Sequence, residues 1–434
     1  MDIVNIIEHK RDKKQLSEEE IEYFVKEYTD NNIPDYQASA LIMAMYLNGL
    51  SNKETFILTK AMANSGDVLD LSDISDVVAD KHSTGGVGDK ITIILMPIIA
   101  SLGVPVAKMS GRSLGFTGGT ADKLESIPGY KVDIGIEEFK HNVKDIGISL
   151  ITSNINLAPA DKKIYALRDT IGCVSSIPLI ASSIMSKKIA SGANKIVMDI
   201  TCGNGAFMKN IDDATSLAKL MIEIGKSAGK DVRCVITSMN EPVGFAIGNQ
   251  LEIIEALEAL KGNMPKDVEE IVYSLGTQIL MMSGKAENEE KANALIKDAI
   301  ESGKAYNKFK DLVLKQDGNI EYIEDTSKFE NARYIEPVLS ELNGYISEIK
   351  TEQIGRISSF IGAGRESKDD EIDFQAGIIM KKRVGDKIES GNTLAYIHSN
   401  QYNKMEDAIK ELQKCFIIQN YAIKPNRIIL KIIK

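Results

Sequence analysis

A chain of 434 residues with 43% hydrophobic and 26% charged residues has a soluble-globular composition and the length for two or three domains. Its formal net charge of −10 argues against non-specific binding to nucleic acid or to an acidic membrane, because both need a basic surface. Any bound anion must then be held by local cations.

Cys173, Cys202, Cys234 and Cys415 are scattered without a C-x-x-C pair, and the only histidines are His9, His82, His141 and His398. Neither a disulfide framework nor a zinc site is expected, and the isolated thiols suit a reducing, cytoplasmic compartment.

The N-terminal segment MDIVNIIEHKRDKK mixes charges into its apolar pattern and reads as a helix, not a signal peptide. The rest of the first sixty or so residues is also helical in pattern, with S-x-x-E capping boxes at Ser17 to Glu20 and Ser51 to Glu54, a break at Ile33-Pro34 and a stop at Gly66. From about Val77, short β-branched runs alternate with amphipathic helices: Val77-Val78-Ala79, Val104-Pro105-Val106, Ser149-Leu150-Ile151, Ile196-Val197-Met198 and Val232 to Ile236. That rhythm predicts a mixed or parallel sheet covered by helices, with ligands at the carboxyl ends of its strands. The longest apolar stretch, Ile91 to Ala107, is broken by Pro97, Ser101 and Gly103 and does not read as a membrane span. After about Glu330, alternating runs at 344–349 and 393–397 predict a C-terminal α+β module. Within it the turn at 385–391 is similar to one in biotinyl and lipoyl carrier domains. The lysine such domains modify is missing after it, so a structural β-unit is expected.

Two glycine-rich loops carry the chemistry. Lys81 to Lys90 reads KHSTGGVGDK and Lys108 to Glu125 reads KMSGRSLGFTGGTADKLE. Glycines let a backbone approach an anion closely, peptide N–H groups at a following helix start are free donors, and hydroxyls and fixed cations complete a cage. One such loop is more often a tight turn; two with lysines and hydroxyls point to one phosphate site. The candidates are Lys81, Ser83, Thr84 and Thr92 from the first, and Lys108, Ser110, Arg112, Ser113, Thr117 and Thr120 from the second. Neither loop has the spacing of a P-loop or of G-x-G-x-x-G followed by an acidic residue, so polyphosphate and dinucleotide cofactors are disfavoured. His82 lies within the first loop, where an imidazole can exchange protons near neutrality or simply cap backbone groups.

The segment SGRSLGFTGGTADKLESIPG, from Ser110 to Gly129, resembles the signature of thymidine and pyrimidine-nucleoside phosphorylases, and DKHSTGGVGDK resembles their first phosphate loop. The likeness continues through Ala158-Pro159-Ala160-Asp161-Lys162, Tyr165 to Asp169, Ser182 to Lys188 and the GAGR at 362–365, and so spans essentially the whole chain. It implies an α/β protein with a small helical domain at 1–66 and 160–193, a larger phosphate-binding α/β domain at 67–159 and 194–330, and the C-terminal module at 331–434 on the larger lobe. The active-site cleft would lie between the domains.

Reversible phosphorolysis of uridine, deoxyuridine and thymidine by inorganic phosphate is the implied activity. Lys81, Ser83, Thr92, Lys108, Ser110 and Thr120 would hold phosphate; Arg168, Ser183 and Lys187 would hold the pyrimidine, with Leu114 and Phe116 beside it; His82, Arg168 and Lys187 would be catalytic. Ser183 and Lys187 are spaced i, i+4 and so share a helix face. Ser113 stands where relatives usually have glycine and Phe116 where they usually have histidine. A lysine at position 108 is similar to the broad-specificity branch, whereas thymidine-restricted relatives carry methionine.

The resemblance also implies no organic cofactor, a homodimer built through the helical domain, and a monovalent cation, potassium, near Gly88, Lys90, Val243, Ala246 and Glu255. Lys90 departs from the family pattern by placing a cation of the chain itself beside that site. Competing readings are a thymidine-restricted enzyme, an anthranilate-phosphoribosyltransferase-like enzyme, whose chemistry needs magnesium and a pyrophosphate leaving group, and a non-catalytic sugar-phosphate sensor. The Arg168, Ser183, Lys187 set favours the phosphorylase.

Overall fold

The computed structural model describes residues 1–112, 118–152, 156–365 and 370–434. Four helices open the chain: α1 (Ile3–Arg11), α2 (Glu18–Thr29), α3 (Asp35–Asn48) and α4 (Asn52–Ala63). Both capping boxes form, Ser17 with Glu20 and Ser51 with Glu54, and Pro34 is the residue before α3. Glu54 has a second role, since it also accepts from the buried Lys10 Nζ at 2.7 Å and ties α1 to α4.

The central sheet has the order β13-β5-β4-β1-β2-β3. Its parallel strands are β1 (Ala79–Ser83), β2 (Val106–Ser110), β3 (Ile148–Thr152), β4 (Lys195–Cys202) and β5 (Asp231–Ser238). Their side chains alternate between two buried faces. Val106, Ile148, Leu150 and Val197 join one core with α5 (Ile91–Ser101), while Ala107, Met109 and Ile151, and Ile196, Met198 and Ile200, enter cores on the other side. Burial on both faces explains why these strands read as continuous apolar runs. The apolar stretch that interrupts the sequence pattern is α5, buried from Ile91 to Ala100 and apolar all round because it lies at the centre of the larger lobe. None of the helices among the described residues is long and apolar enough to cross a membrane.

Six further helices complete the part that frames the cleft: α6 (Thr120–Glu125), α7 (Ile136–Ile146), α8 (Pro159–Thr170), α9 (Ile177–Ala190), α10 (Ile211–Ser227) and α11 (Asn249–Leu260). Ala160 and Ile164 of α8 and Leu179 of α9 share a core with α1 to α4, whereas Ala181 and Met185 of α9 pack with β4 and α10. Thus α9 is the seam between the helical unit and the sheet.

After β6 (Ala246–Gly248), which precedes α11, the C-terminal part holds β7 (Tyr334–Leu339), β8 (Gly344–Ile349), β9 (Gly377–Met380), β10 (Lys387–Ile388), β11 (Thr393–Ser399), β12 (Phe416–Gln419) and β13 (Ile429–Ile433). They form one sheet of order β6-β9-β11-β7 and another of order β10-β8-β12, with β13 in the central sheet. Two strands cross the expected boundary at residue 330. β6 leaves the α/β part to pair with β9, and β13 returns from the C-terminus to pair antiparallel with β5, which makes the central sheet mixed. Residues 331–434 are therefore not self-contained: each part lends the other an edge strand.

Candidate active site

A cavity of about 420 Å³ lies between the loops that follow β1 and β2 and the facing helices α8 and α9. The cavity therefore sits at the carboxyl ends of parallel strands, where helix and loop backbones leave groups free to meet a ligand.

On the sheet side, Ser83 ends β1 and Ser110 ends β2, and both line the cavity together with Thr92 from the first turn of α5 and Thr120 from the start of α6. Ser83 Oγ accepts from Gly85 N at 3.3 Å, and the hydroxyls of Thr84 and Thr201 meet at 3.0 Å, which folds the glycine turn back over the strand ends.

Lys81 is placed differently from the sequence expectation. It is completely buried beneath the loop, with Nζ 3.5 Å from Asp89 Oδ1 and 3.6 Å from Asp199 Oδ2, and it is not part of the cavity wall. Strand alternation is the reason: two residues on from Ala79, Lys81 points into the same core. It props the loop through Asp89, which does line the cavity. Burial opposes ionisation of both carboxyls. Lys81 and Lys123 nevertheless hold Asp89 down at about 2, whereas burial and the charge of Asp89 push Asp199 up to about 6 against the pull of Lys81.

Lys108 does line the cavity, and a buried carboxylate sits behind it. Asp80 Oδ1 is 3.5 Å from Lys108 Nζ, and its Oδ2 accepts from Lys188 Nζ at 2.6 Å. Burial, reinforced by Lys188 and Lys81 and only partly offset by Asp80, pulls the Lys108 ammonium down to about 7. His82, also in the wall, is driven well below the ordinary histidine range by burial and by Lys188, Lys108, Lys187 and Lys81. Its imidazole is neutral at pH 7, so it offers one N–H donor and one acceptor and no cationic acid. Arg112 reaches the cavity but its guanidinium is bound to Glu125, at 2.9 Å for the longer contact, and lies 3.3 Å from Asp133.

On the helical side, Arg168 of α8 lines the cavity together with Ser183 and Lys187, which lie one turn apart on α9. Lys187 Nζ donates to Ser183 Oγ at 3.1 Å and to Asp161 Oδ2 from α8. Arg168 is buried and partly committed to structure. Its Nε donates to Cys173 O at 3.1 Å, Nη1 to Leu179 O at 3.0 Å and Nη2 to Val174 O at 2.8 Å, which ties down the connection between α8 and α9. Three of five guanidinium donors are thus engaged and two remain.

Leu114 and Phe116, with Ser113 and Thr117, lie outside the described residues. The expected cation ligands Gly88, Val243, Ala246 and Glu255 do come together, but around Lys90. Its Nζ donates to Val243 O at 2.7 Å, Ala246 O at 2.9 Å and Glu255 Oε2 at 2.5 Å. An ammonium already at the centre of the oxygen shell means that these residues do not fit a free monovalent cation.

Sequence reasoning did not single out Asp80, Asp161, Asp89, Lys188 or Tyr165 as parts of the site. The only sequence signal was adjacency, since Asp80 precedes Lys81, Lys188 follows Lys187, and Asp161 and Tyr165 fall in the motifs that open α8.

Comparison with known proteins agrees with this geometry. The chain matches the family models described as glycosyl transferase family, helical bundle domain, over residues 4–66, and glycosyl transferase family, a/b domain, over residues 75–306. It is also similar in fold to an anthranilate phosphoribosyltransferase from Thermus thermophilus, with a TM-score of 0.59 and 18% identity over 72% of this chain and 99% of that one. The two family models, over residues 4–66 and 75–306, place the chain among the glycosyl-transferring enzymes.

Residues 345–419 match the pyrimidine nucleoside phosphorylase C-terminal domain. The chain is 49% identical over 428 residues to a pyrimidine-nucleoside phosphorylase of Staphylococcus haemolyticus (strain JCSC1435), covering 99% of each. It is 48% identical to one of Staphylococcus aureus (strain MSSA476) with the same coverage. The chain belongs to the pyrimidine-nucleoside phosphorylase family.

Proposed function

We infer that this enzyme cleaves uridine, deoxyuridine and thymidine reversibly, with inorganic phosphate, to the free pyrimidine and the pentose 1-phosphate. The observation that carries this reading is that Lys108, Ser110, Thr92 and Thr120 face Arg168, Ser183 and Lys187 across one cavity. A phosphate oxygen forms the bond to the anomeric carbon, the carbon–nitrogen glycosidic bond breaks, and its electron pair leaves with the pyrimidine. The proton carried by the phosphate monoanion or dianion ends on the base, so no metal or second carboxylate is needed for balance. The transition state has oxocarbenium character, and an accurately placed phosphate supplies both nucleophile and counter-charge. Charge developing on the base is met by Lys187 and by the remaining donors of Arg168, with the neutral His82 N–H as a further donor.

An ammonium at Lys108 can donate to a ribose 2′-hydroxyl, and a site that uses that donor loses little when the hydroxyl is absent. Uridine and thymidine are therefore used within roughly tenfold of one another, about 1.4 kcal/mol, and Lys108→Met shifts preference toward deoxyribosides. The test is to incubate the protein with uridine or thymidine, with and without phosphate, and follow free base. Release from thymidine and deoxyuridine alone makes the enzyme thymidine-restricted; release at equal rate without phosphate makes it a hydrolase.

The assembly we infer is a homodimer through the helical unit, where Val4, Tyr36 and Leu47 are exposed apolar residues. Sedimentation equilibrium tests it. A cytoplasmic setting suits the four buried free thiols.

A further inference from the structure

Lys90 is the residue before α5 and has no solvent exposure. All three of its ammonium protons are used, on the carbonyls of Val243 and Ala246 and on Glu255 Oε2. Glu255 is fixed in turn, because its Oε1 accepts from Phe245 N at 2.8 Å and its Oε2 from Ala246 N at 3.1 Å. The shell is closely packed. A Cβ on Gly88, whose φ is +76°, would lie 2.6 Å from Val243 O and 3.2 Å from Ala246 O; one on Gly244, whose φ is +69°, would lie 2.7 Å from Lys90 Nζ. Two carbonyls and one carboxylate around a single positive centre balance one charge. Among the described residues Glu255 is the one carboxylate in contact with this ammonium, so a second cation in the same shell would face the ammonium's charge with none left to offset it.

We propose that Lys90 is a tethered monovalent cation: its ammonium permanently occupies the oxygen shell formed by Val243, Ala246 and Glu255, so this enzyme is independent of potassium and of other free monovalent ions. The tether joins the glycine loop that precedes α5 to the segment entering β6 and to α11. Since β6 pairs with β9, the same contact couples the anion loop to the C-terminal sheet.

The test compares melting temperature in potassium chloride and in tetramethylammonium chloride at matched ionic strength, for the wild type, Lys90→Thr and Lys90→Met. The wild type should melt at the same temperature in both salts. Lys90→Thr, which removes the cation and leaves the Glu255 carboxylate in an open shell, should melt lower in tetramethylammonium chloride and recover saturably with potassium or ammonium ions; Lys90→Met, which fills the space without a cation, should melt lower in both and recover in neither. A saturable, potassium-specific rise in the wild-type melting temperature overturns the proposal, as does a folded Lys90→Thr that melts at the same temperature in both salts. If Lys90→Thr does not fold, the wild-type comparison decides alone.

Discussion

Lys108 Nζ lies 3.5 Å from Asp80 Oδ1, close enough for attraction but longer than the 2.6 Å contact that Lys188 makes with the other oxygen of the same carboxylate. Asp80 therefore belongs chiefly to Lys188, and Lys108 is left as a buried amine at about 7, poised to be charged by an incoming anion. At pH 8 about nine-tenths of such a group is neutral, whereas a bound phosphate dianion favours the ammonium. Phosphate binding at pH 8 is predicted to take up close to one proton, and progressively less as pH falls below 7. Titration calorimetry in buffers of different ionisation enthalpy measures this, and Lys108→Met should abolish the uptake. Uptake that is absent in the wild type, or unchanged in the variant, contradicts the assignment.

The Lys187–Asp161 pair leads to a second prediction. Asp161 orients the ammonium while Ser183 holds it from the same helix, so Asp161→Asn should lower turnover by about tenfold and leave the nucleoside Michaelis constant nearly unchanged, because charge on the departing base develops in the transition state. Lys187→Ala should lower turnover further. A rise in Michaelis constant with turnover intact would remove both residues from this role.

Arg168 is expected to be both a base-side cation and a structural tie. Arg168→Ala removes three hydrogen bonds from a guanidinium to backbone carbonyls, at about 1.5–3 kcal/mol for each charge-assisted bond, and so should lower the melting temperature as well as the activity. Thermal denaturation against the wild type checks this. An Arg168→Ala melting temperature equal to that of the wild type would mean that the carbonyl contacts of Arg168 contribute nothing to stability.

Much of the scaffold was legible locally. The capping boxes at Ser17 and Ser51 form as their spacing demands, since a cap is settled within four residues. Each apolar run read as a strand lies at or within a few residues of one, because burial on both faces leaves no polar alternation to confuse the reading. The exchange of β6 and β13 between the two parts was not legible. Both are short edge strands whose pairing is decided by partners more than a hundred residues away, β9 and β5.

In the site, Ser183 and Lys187 were legible because one helix turn brings them together. Asp80 and Asp161 were not, because a carboxylate in an anion site makes sense only once its lysine, Lys188 or Lys187, is placed in space. The burial of Lys81 was not legible for a related reason: the motif supplies the residue type, but strand alternation decides that its side chain runs beneath the loop to Asp89 and Asp199.

A further expectation concerns closure. The anion-side residues are carried by β1, β2, α5 and α6, the base-side residues by α8 and α9, so ligands spanning the cavity should draw the two walls together. Small-angle scattering should show a smaller radius of gyration with phosphate and a non-cleavable nucleoside analogue bound together than with either alone. Indistinguishable profiles would argue against closure.

Attack of phosphate itself on the anomeric carbon is the central claim, and phosphorus NMR of the reaction with uridine tests it most directly. A new phosphomonoester resonance, that of ribose 1-phosphate, is predicted to grow in equimolar step with uracil and to be absent when phosphate is omitted. Uracil released alongside free ribose, with the inorganic phosphate signal undiminished, would contradict it.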